Sequence, residues 1–250
     1  MTKPVRRVAV FGATSDIAAA FARRCAEAGD RLVLIARDPN EMARLSADLL
    51  VRGAKQVVRI EADFSLGAAL PETAIAAFEA LGGLDIALIA YGSLPVQADL
   101  LTDPEAAEAA LYLNFTSPAL LSNLLANRFE SAGAGTLAVI TSVAGDRGRQ
   151  SNYIYGAAKG GLQIFLEGLR HRLFPAGVNV LDIRPGFVAT KMTEHLPKGG
   201  PLWATPEKVA ADIAGAIEKR GAVLYTPWFW RGIMTVVGGL PRPLFHRSKL

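Results

Sequence analysis

The chain has 250 residues, of which 51% are hydrophobic and 20% are charged, and its formal net charge is +4. This composition excludes an intrinsically disordered chain, and the length suits one large α/β domain. The single cysteine, Cys25, excludes an internal disulfide framework, and three scattered histidines give no Cys/His pattern of a zinc site.

The basic excess is confined to the C-terminal end of the chain. Six of the 27 Lys and Arg residues follow Glu218 and none of the 23 Asp and Glu residues does, so residues 1–218 carry a net charge of −2. A nucleic-acid-binding domain would instead spread its basic residues over a folded face. Because the sequence shows no secretory signal and no apolar run of about 18 residues, we expect a cytoplasmic protein.

The first half of the chain alternates short apolar runs with amphipathic stretches. This pattern predicts strands over residues 8–11, 31–36, 57–60 and 85–90, and helices over residues 17–28, 41–50 and 68–81. Such alternation indicates βαβ crossovers and a parallel sheet that is covered by helices on both faces.

The second half continues the same alternation without a linker. Strands are predicted over residues 136–141, 178–183 and 222–225, and helices over residues 104–129, 151–173 and from Pro206, after a short helical insertion at 190–196. The sequence therefore predicts an α/β fold of the Rossmann type, with seven parallel strands in a doubly wound sheet. We assign residues 1–225 to this domain and residues 226–250 to a tail.

The loop after the first strand is a candidate phosphate-binding turn. Gly12 allows close backbone approach, and the helix that follows presents free amides at its N-terminus. A dinucleotide fingerprint would have further glycines where Asp16 and Ala18 stand. The loop alone is therefore equally compatible with an ordinary turn that Ser15 caps.

A second group of residues points to proton transfer. Tyr155 and Lys159 are four residues apart on a predicted helix and so share a face, and Ser142 ends the preceding strand at the same edge of the sheet. A nearby ammonium is expected to lower the pKa of the phenol from about 10, and the serine hydroxyl to hold a carbonyl oxygen against it. This set suits reversible carbonyl reduction with hydride from a nicotinamide cofactor.

These motifs resemble the short-chain dehydrogenase/reductase family over about residues 6–225. The resemblance implies that Ser142, Tyr155 and Lys159 are catalytic, with Tyr155 as acid/base, and that Asn114 supports a proton-relay water. Asn114 has an alternative role as a polar residue that hydrogen-bonds to neighbouring backbone. The resemblance places Asp63 at the adenine of the cofactor, but Asp63 has an alternative role as a local cap. The predicted cofactor-binding set is Gly12, Thr14, Ser15, Asp16, Ile17, Arg37, Asp63, Phe64, Ala90, Gly92, Tyr155, Lys159, Pro185, Gly186, Val188 and Thr190.

The end of the second predicted strand bears on the choice of cofactor. An acidic residue there would hold the ribose 2′-hydroxyl of NAD, but the chain has Ala36 followed by Arg37. A guanidinium suits a 2′-phosphate, so the sequence favours NADP(H). A solvated arginine at a strand end is the alternative, and the adjacent Asp38 weakens the electrostatic argument.

One departure from the family pattern points to a subgroup. Most members have Asn-Asn-Ala-Gly after the fourth strand, whereas this chain has Ile89-Ala-Tyr-Gly92. Together with the first turn, Gly-Ala-Thr-Ser-Asp-Ile-Ala, and the aromatic and basic C-terminal end, this Ala-Tyr-Gly is similar to a subgroup that contains decaprenylphosphoryl-2-keto-ribose reductase, which reduces a keto sugar on a polyprenyl phosphate. The resemblance therefore implies a small-molecule or lipid-linked ketone as substrate, and a homodimer or homotetramer formed through the two long helices.

The tail combines Trp228 and Trp230 with apolar and basic residues. It is compatible with a membrane-interface segment and equally with a cover for the substrate pocket or a subunit contact, so the localisation is cytoplasmic with or without peripheral membrane contact.

Two alternatives to a reductase remain open at this stage, a non-catalytic NADP-binding regulatory module and a membrane-attached interaction protein. Loops at 93–103 and 197–206 are expected to shape the pocket.

Overall fold

The computed structural model describes residues 4–196 and 199–248, so residues 197–198 of the second pocket loop and 249–250 of the tail lie outside it. Strands and helices alternate along most of the chain. In chain order they are β1 (Arg7–Phe11), α1 (Asp16–Glu27), β2 (Arg31–Ala36), α2 (Pro39–Val51), β3 (Gln56–Glu61), α3 (Leu70–Glu79), β4 (Ile86–Ile89), α4 (Pro104–Leu111), α5 (Ser117–Ala132), β5 (Thr136–Ile140), α6 (Tyr153–Leu173), β6 (Asn179–Pro185), β7 (Phe187–Val188), β8 (Trp203–Ala204), α7 (Pro206–Glu218), β9 (Val223–Thr226), α8 (Trp230–Gly239) and α9 (Arg242–Phe245).

Seven parallel strands form one sheet in the order β3-β2-β1-β4-β5-β6-β9. The predicted Rossmann-type fold is thus confirmed. Strand order reverses between β1 and β4, and a ligand crevice opens beyond the carboxyl ends of strands at such a switch point.

The sheet is buried on both faces, which explains why its strands are continuous apolar runs. Val8 and Val10 of β1 contact the core layer beneath α1, α2 and α7. Ala9 and Phe11 point to the opposite layer, beneath α3, α5 and α6.

The helix predicted over residues 104–129 is interrupted. A π-helical turn, Tyr112–Thr116, separates α4 from α5, and α5 runs on to Ala132 before Gly133 ends it in a left-handed conformation. The physical reason is Pro118, which has no N–H to donate to the carbonyl four residues earlier, at Asn114. Single π-turns inside helices often occur at functional sites.

The segment between β6 and α7 also differs from the prediction. The helical insertion expected over residues 190–196 is only one 3₁₀ turn, Lys191–Thr193. The two-residue strands β7 and β8 pair with each other as a small second sheet that the sequence pattern did not predict.

The tail folds back on the loop that follows β5. Trp230 and Met234 of α8 are buried against Val143. Arg147 donates to the carbonyl oxygens of Val237, Gly238 and Leu240, and its guanidinium lies 3.8 Å from the centroid of the Phe245 ring. None of the helices in residues 4–196 and 199–248 has the combination of length and apolar character that crossing a bilayer requires.

Candidate active site

A cavity of about 600 Å³ lies beyond the carboxyl ends of the central strands. It brings together most of the residues that the sequence singled out. They are Thr14, Ser15, Asp16, Ile17, Ala90, Gly92, Asn114, Ser142, Tyr155, Lys159, Pro185, Gly186, Val188 and Thr190.

Four residues of the predicted cofactor set do not line this cavity, namely Gly12, Arg37, Asp63 and Phe64. Arg37 is exposed after β2. The Asp63 carboxylate accepts from the Ser65 amide at 2.9 Å and from its hydroxyl at 2.7 Å, which is the local cap that the sequence left open. Asp38 caps α2, because its Oδ1 accepts from the amides of Asn40 and Glu41.

The first loop has the shape of a phosphate cradle. Gly12 has a φ of +79°, and a Cβ at this position would lie 2.8 Å from the Cβ of Tyr91, so only glycine fits. The Ser15 hydroxyl is buried without a partner among the described residues, at the N-terminus of α1. A free hydroxyl beside helix amides fits the phosphates of a dinucleotide.

Asp16 stands where a phosphate-binding turn would have glycine. Its carboxylate is bonded to the segment after β7. It accepts from the backbone amide of Lys191 at 2.7 Å. The side chain of Lys191 in turn pairs with Glu41 of α2 at 2.8 Å. The segment after β7 is thereby tied to both α1 and α2.

Asn114 lies on the π-helical turn and is fully buried. Its side-chain oxygen accepts from the Ser93 amide at 3.1 Å, and its nitrogen donates to the carbonyl of Ala110 at 3.0 Å and to the Ser93 hydroxyl at 3.2 Å. A Cβ on Gly92 would lie 2.7 Å from that oxygen. Asn114 thus holds the loop after β4 against the cavity, close to Lys159.

Ser142, Tyr155 and Lys159 meet in the cavity. The Ser142 hydroxyl accepts from the Ala144 amide at 3.1 Å and lines the same cavity as the Tyr155 side chain. The Lys159 ammonium donates to the carbonyl of Ile140 at 3.3 Å and lies 5.8 Å from the centre of the Tyr155 ring. Helix α6 packs closely against the loop after β5 at Gly160, because a Cβ on this residue would lie only 2.8 Å from the carbonyl oxygen of Gly145.

Burial dominates the protonation of this group. It raises the pKa of the Tyr155 phenol to about 12, although the hydrogen bond from Ser142 acts in the opposite direction. It lowers the pKa of Lys159 to about 8, against the attraction of Asp182. The prediction that the pKa of the phenol lies below about 10 is therefore wrong for the structure described, because desolvation of the phenolate is the largest influence on it.

An ionic network behind the cavity supports this arrangement. Asp182 of β6 is buried and accepts from the Thr141 hydroxyl at 2.6 Å and from Arg184 at 2.7 Å. Arg184 also donates to Asp146 at 3.0 Å. This network fixes the loop after β5 on which Ser142 lies.

Sequence reasoning missed several polar residues that line the same cavity: Gln97, Arg149, Asn152, His195 and Trp230. Four of them lie in loops, and their only signal was a position after a strand of a parallel sheet. Trp230 was noted as part of the tail, but nothing in the sequence placed its indole in the cavity.

Comparisons with known proteins identify the family of the chain. The sequence model of the family described as short chain dehydrogenase matches residues 6–200. The chain belongs to the short-chain dehydrogenase family. It is 38% identical over 240 residues to an uncharacterized oxidoreductase of Mycobacterium tuberculosis, with 96% of each chain covered. It is also 34% identical over 245 residues to one of Streptomyces coelicolor, with 98% of this chain and 96% of that protein covered.

A solved structure extends the comparison to the cofactor. The short-chain dehydrogenase from Sphingobium yanoikuyae in complex with NADPH superposes with a TM-score of 0.84 at 25% identity, and 98% of this chain and 96% of that chain are covered. The protein is accordingly an NAD(P)-dependent oxidoreductase of the short-chain dehydrogenase family.

The structure explains why this dehydrogenase has Ala90-Tyr91 after β4. The Tyr91 ring stacks on Phe64, with centroids 4.1 Å apart and planes 5° apart. Its hydroxyl lies 3.0 Å from that of Ser117, which donates to the Phe64 carbonyl at 2.7 Å. Tyr91 thus anchors the loop after β4 through aromatic stacking and a buried hydroxyl pair.

Proposed function

We propose that this dehydrogenase reduces a ketone to a secondary alcohol with NADPH, using Tyr155 as the acid/base. The observation that carries the proposal is the meeting of the Ser142 hydroxyl, the Tyr155 phenol and the Lys159 ammonium in one cavity with the phosphate cradle of α1. A bound nicotinamide supplies the hydride that no side chain can supply.

The residues of the chain then have distinct tasks. Ser15 and the amides of α1 hold the phosphates of the cofactor, and Lys159 holds its nicotinamide ribose. The Pro185–Gly186 turn and Thr190 hold its carboxamide. Ser142 holds the carbonyl oxygen of the substrate. The raised pKa keeps the Tyr155 phenol protonated at neutral pH, which is the form that donates a proton to the oxygen as the alcohol forms. The Lys159 ammonium stabilises the phenolate left behind.

The experiment that tests this function is single-turnover oxidation of bound NADPH across a panel of carbonyl compounds. We expect oxidation with at least one ketone. The competing hypothesis, a regulatory module that senses NADP without catalysis, is motivated by the altered glycine turn and predicts binding with no oxidation for every compound. Membership of an oxidoreductase family and the complete Ser-Tyr-Lys group favour the enzyme.

We also propose that Arg37 selects NADPH over NADH by contacting the 2′-phosphate. In support, Arg37 follows the last residue of β2 and its side chain is exposed. Arg37→Ala is expected to weaken NADPH binding about tenfold and to leave NADH binding unchanged, because a charge-assisted hydrogen bond is lost from an exposed position. Arg24→Ala, the same charge change at the far end of α1, is the control; equal NADPH affinity in both variants would contradict this role.

The lipid-linked keto sugar that the sequence suggested remains our proposal for the substrate, with the tail closing the pocket and touching the membrane. The apolar face of α8 is used internally, because Trp230 and Met234 are buried. Membrane contact must therefore use exposed side chains such as Trp228, which is 79% exposed, and Leu244.

Membrane contact is tested by co-sedimentation of the full chain with phosphatidylglycerol vesicles. We expect binding that falls with added salt, is absent with phosphatidylcholine, and is mostly lost in the double variant Trp228→Ser/Leu244→Ser. Binding that is identical for the wild type and the variant would reject this use of the tail.

The predicted homodimer or homotetramer is also a proposal. Exposed apolar side chains on the outer faces of α5 and α6, including Leu120 and the 73% exposed Ile164, support an interface through these helices. Light scattering of the wild type and of Ile164→Lys tests it, and a monomeric wild type would contradict it.

A further inference from the structure

Three buried N–H groups belong to residues that line the cavity, and they have no hydrogen-bond partner within residues 4–196 and 199–248. They are Nε2 of Gln97, Nε of Arg149 and Nε1 of Trp230, and we call them the donor wall. They come from the loop after β4, the loop after β5 and the first turn of α8. Three unrelated segments therefore bring unpaired donors into the cavity that holds Tyr155.

The surrounding structure holds each donor in place. The side-chain oxygen of Gln97 accepts from the amide of Ile154 at 3.1 Å, which fixes the amide plane beside the start of α6. The Trp230 indole is only 5% exposed and lies directly over Gly186, where any Cβ would clash with it. Its ring meets Phe187 edge-on, with centroids 5.5 Å apart.

Arg149 gives the donor wall a positive charge. Its guanidinium is half-buried, and burial lowers its pKa, with Asp146 the only acidic group acting against this. The carboxylate of Asp146 is already committed, because it accepts from Arg184 at 3.0 Å and from the Tyr225 hydroxyl at 2.9 Å. Arg149 is therefore a cation without an ion-pair partner in the described part of the chain.

Buried donors without acceptors are unfavourable, so they indicate a ligand that supplies the missing acceptors. Neutral hydroxyls would accept from all three N–H groups but would leave the positive charge of the guanidinium unbalanced. A group with several negatively charged oxygens satisfies all three, and arginine binds such groups with the best geometry.

We propose that the ketone substrate carries an anionic oxygen group, a phosphate ester or a carboxylate, which is held by Arg149 together with Gln97 and Trp230. The inference deepens the proposed reductase function and rests on it for the carbonyl group alone. It also gives the tail a defined task, since Trp230 of α8 completes the binding surface.

Matched pairs of ketones test the proposal with the full-length, NADPH-loaded protein. Dihydroxyacetone phosphate is compared with dihydroxyacetone, and 4-oxopentanoate with its methyl ester, so that the two arms separate phosphate from carboxylate. We expect kcat/KM to be at least about tenfold higher for the charged member of one pair, the size of a charge-assisted contact. Arg149→Gln should bring that preference close to one, and Arg149→Lys should restore part of it.

Arg59→Gln, the same change at an exposed position of β3, is the matched control and should keep the wild-type preference. Thermal unfolding and NADPH affinity establish that each variant is folded. Equal kcat/KM values for both members of both pairs would overturn the proposal.

A binding measurement separates this proposal from the proposed reaction. Calorimetry follows inorganic phosphate binding to the NADPH-loaded wild type, to Arg149→Gln and to Tyr155→Phe. Binding that is lost in Arg149→Gln and kept in Tyr155→Phe supports the donor wall even if no ketone in the panel is reduced. Absence of binding in the wild type, or equal binding in Arg149→Gln, overturns it.

Discussion

Tyr155→Phe is expected to lower kcat for ketone reduction by about a hundred- to ten-thousandfold, the usual contribution of a positioned general acid. The variant removes one hydroxyl from a partly buried side chain that lines the cavity with Ser142 and whose pKa is raised to about 12. NADPH affinity should change little, because the ring itself remains. Stopped-flow oxidation of bound NADPH and a fluorescence titration measure the two quantities.

Tyr153→Phe is the matched control on the same helix. Tyr153 begins α6, is 46% exposed, and has Ala157 rather than a lysine four residues later. It should retain wild-type turnover. Normal turnover in Tyr155→Phe would refute the proposed acid/base, and loss of turnover in both variants would show that the start of α6, not one hydroxyl, is what matters.

Lys159→Met is expected to abolish most activity and at the same time to stabilise the protein. Lys159 is 3% exposed, and burial lowers its pKa from 10.5 to about 8, so the folded protein at pH 7 holds an ammonium that water would solvate better. An apolar side chain of similar length removes this cost, and we expect the free energy of unfolding at pH 7 to rise by about 1–3 kcal/mol. Denaturant unfolding combined with turnover measures both effects.

The stabilisation should depend on pH. The folded state releases the Lys159 proton at about pH 8, whereas the unfolded chain keeps it to about 10.5, so the stability of the wild type gains from this group as the pH rises between these values. The advantage of Lys159→Met should therefore shrink between pH 8 and pH 10. Lys208→Met, at an exposed lysine paired with Asp212, should show neither the stabilisation nor the loss of activity. If Lys159→Met is only as stable as the wild type at pH 7, Lys159 is better solvated than its burial indicates.

The sheet was predictable because strands that are buried on both faces must consist mainly of apolar residues. Strands β1 and β2 contain apolar runs in the sequence, and both are interior strands of the sheet. The meeting of Ser142 with Tyr155 was predictable for a similar reason. The carboxyl end of a strand and the start of the next helix are neighbours in any parallel α/β fold.

Features that depend on tertiary contacts were not predictable. The π-turn before Pro118 leaves the apolar periodicity of the helix almost unchanged, so the periodicity gave one continuous helix. The pKa of Tyr155 depends on how deeply the ring is buried, which the four-residue spacing to Lys159 does not reveal. The conformation of a loop places Arg149 at the cavity, and the conformation of the tail places Trp230 there. Neither conformation can be read from the sequence pattern.

The stacking of Tyr91 on Phe64 has a consequence for sequence exchange between relatives. Replacing Ala90-Tyr91 with the Asn-Ala of most family members would leave Phe64 without its stacked ring and Ser117 without its hydroxyl partner. These three positions are coupled, so swaps at one of them should be non-additive with swaps at the others. Grafting the common loop into this protein therefore also requires exchanges at Phe64 and Ser117, and the loop exchange alone should give a less stable protein.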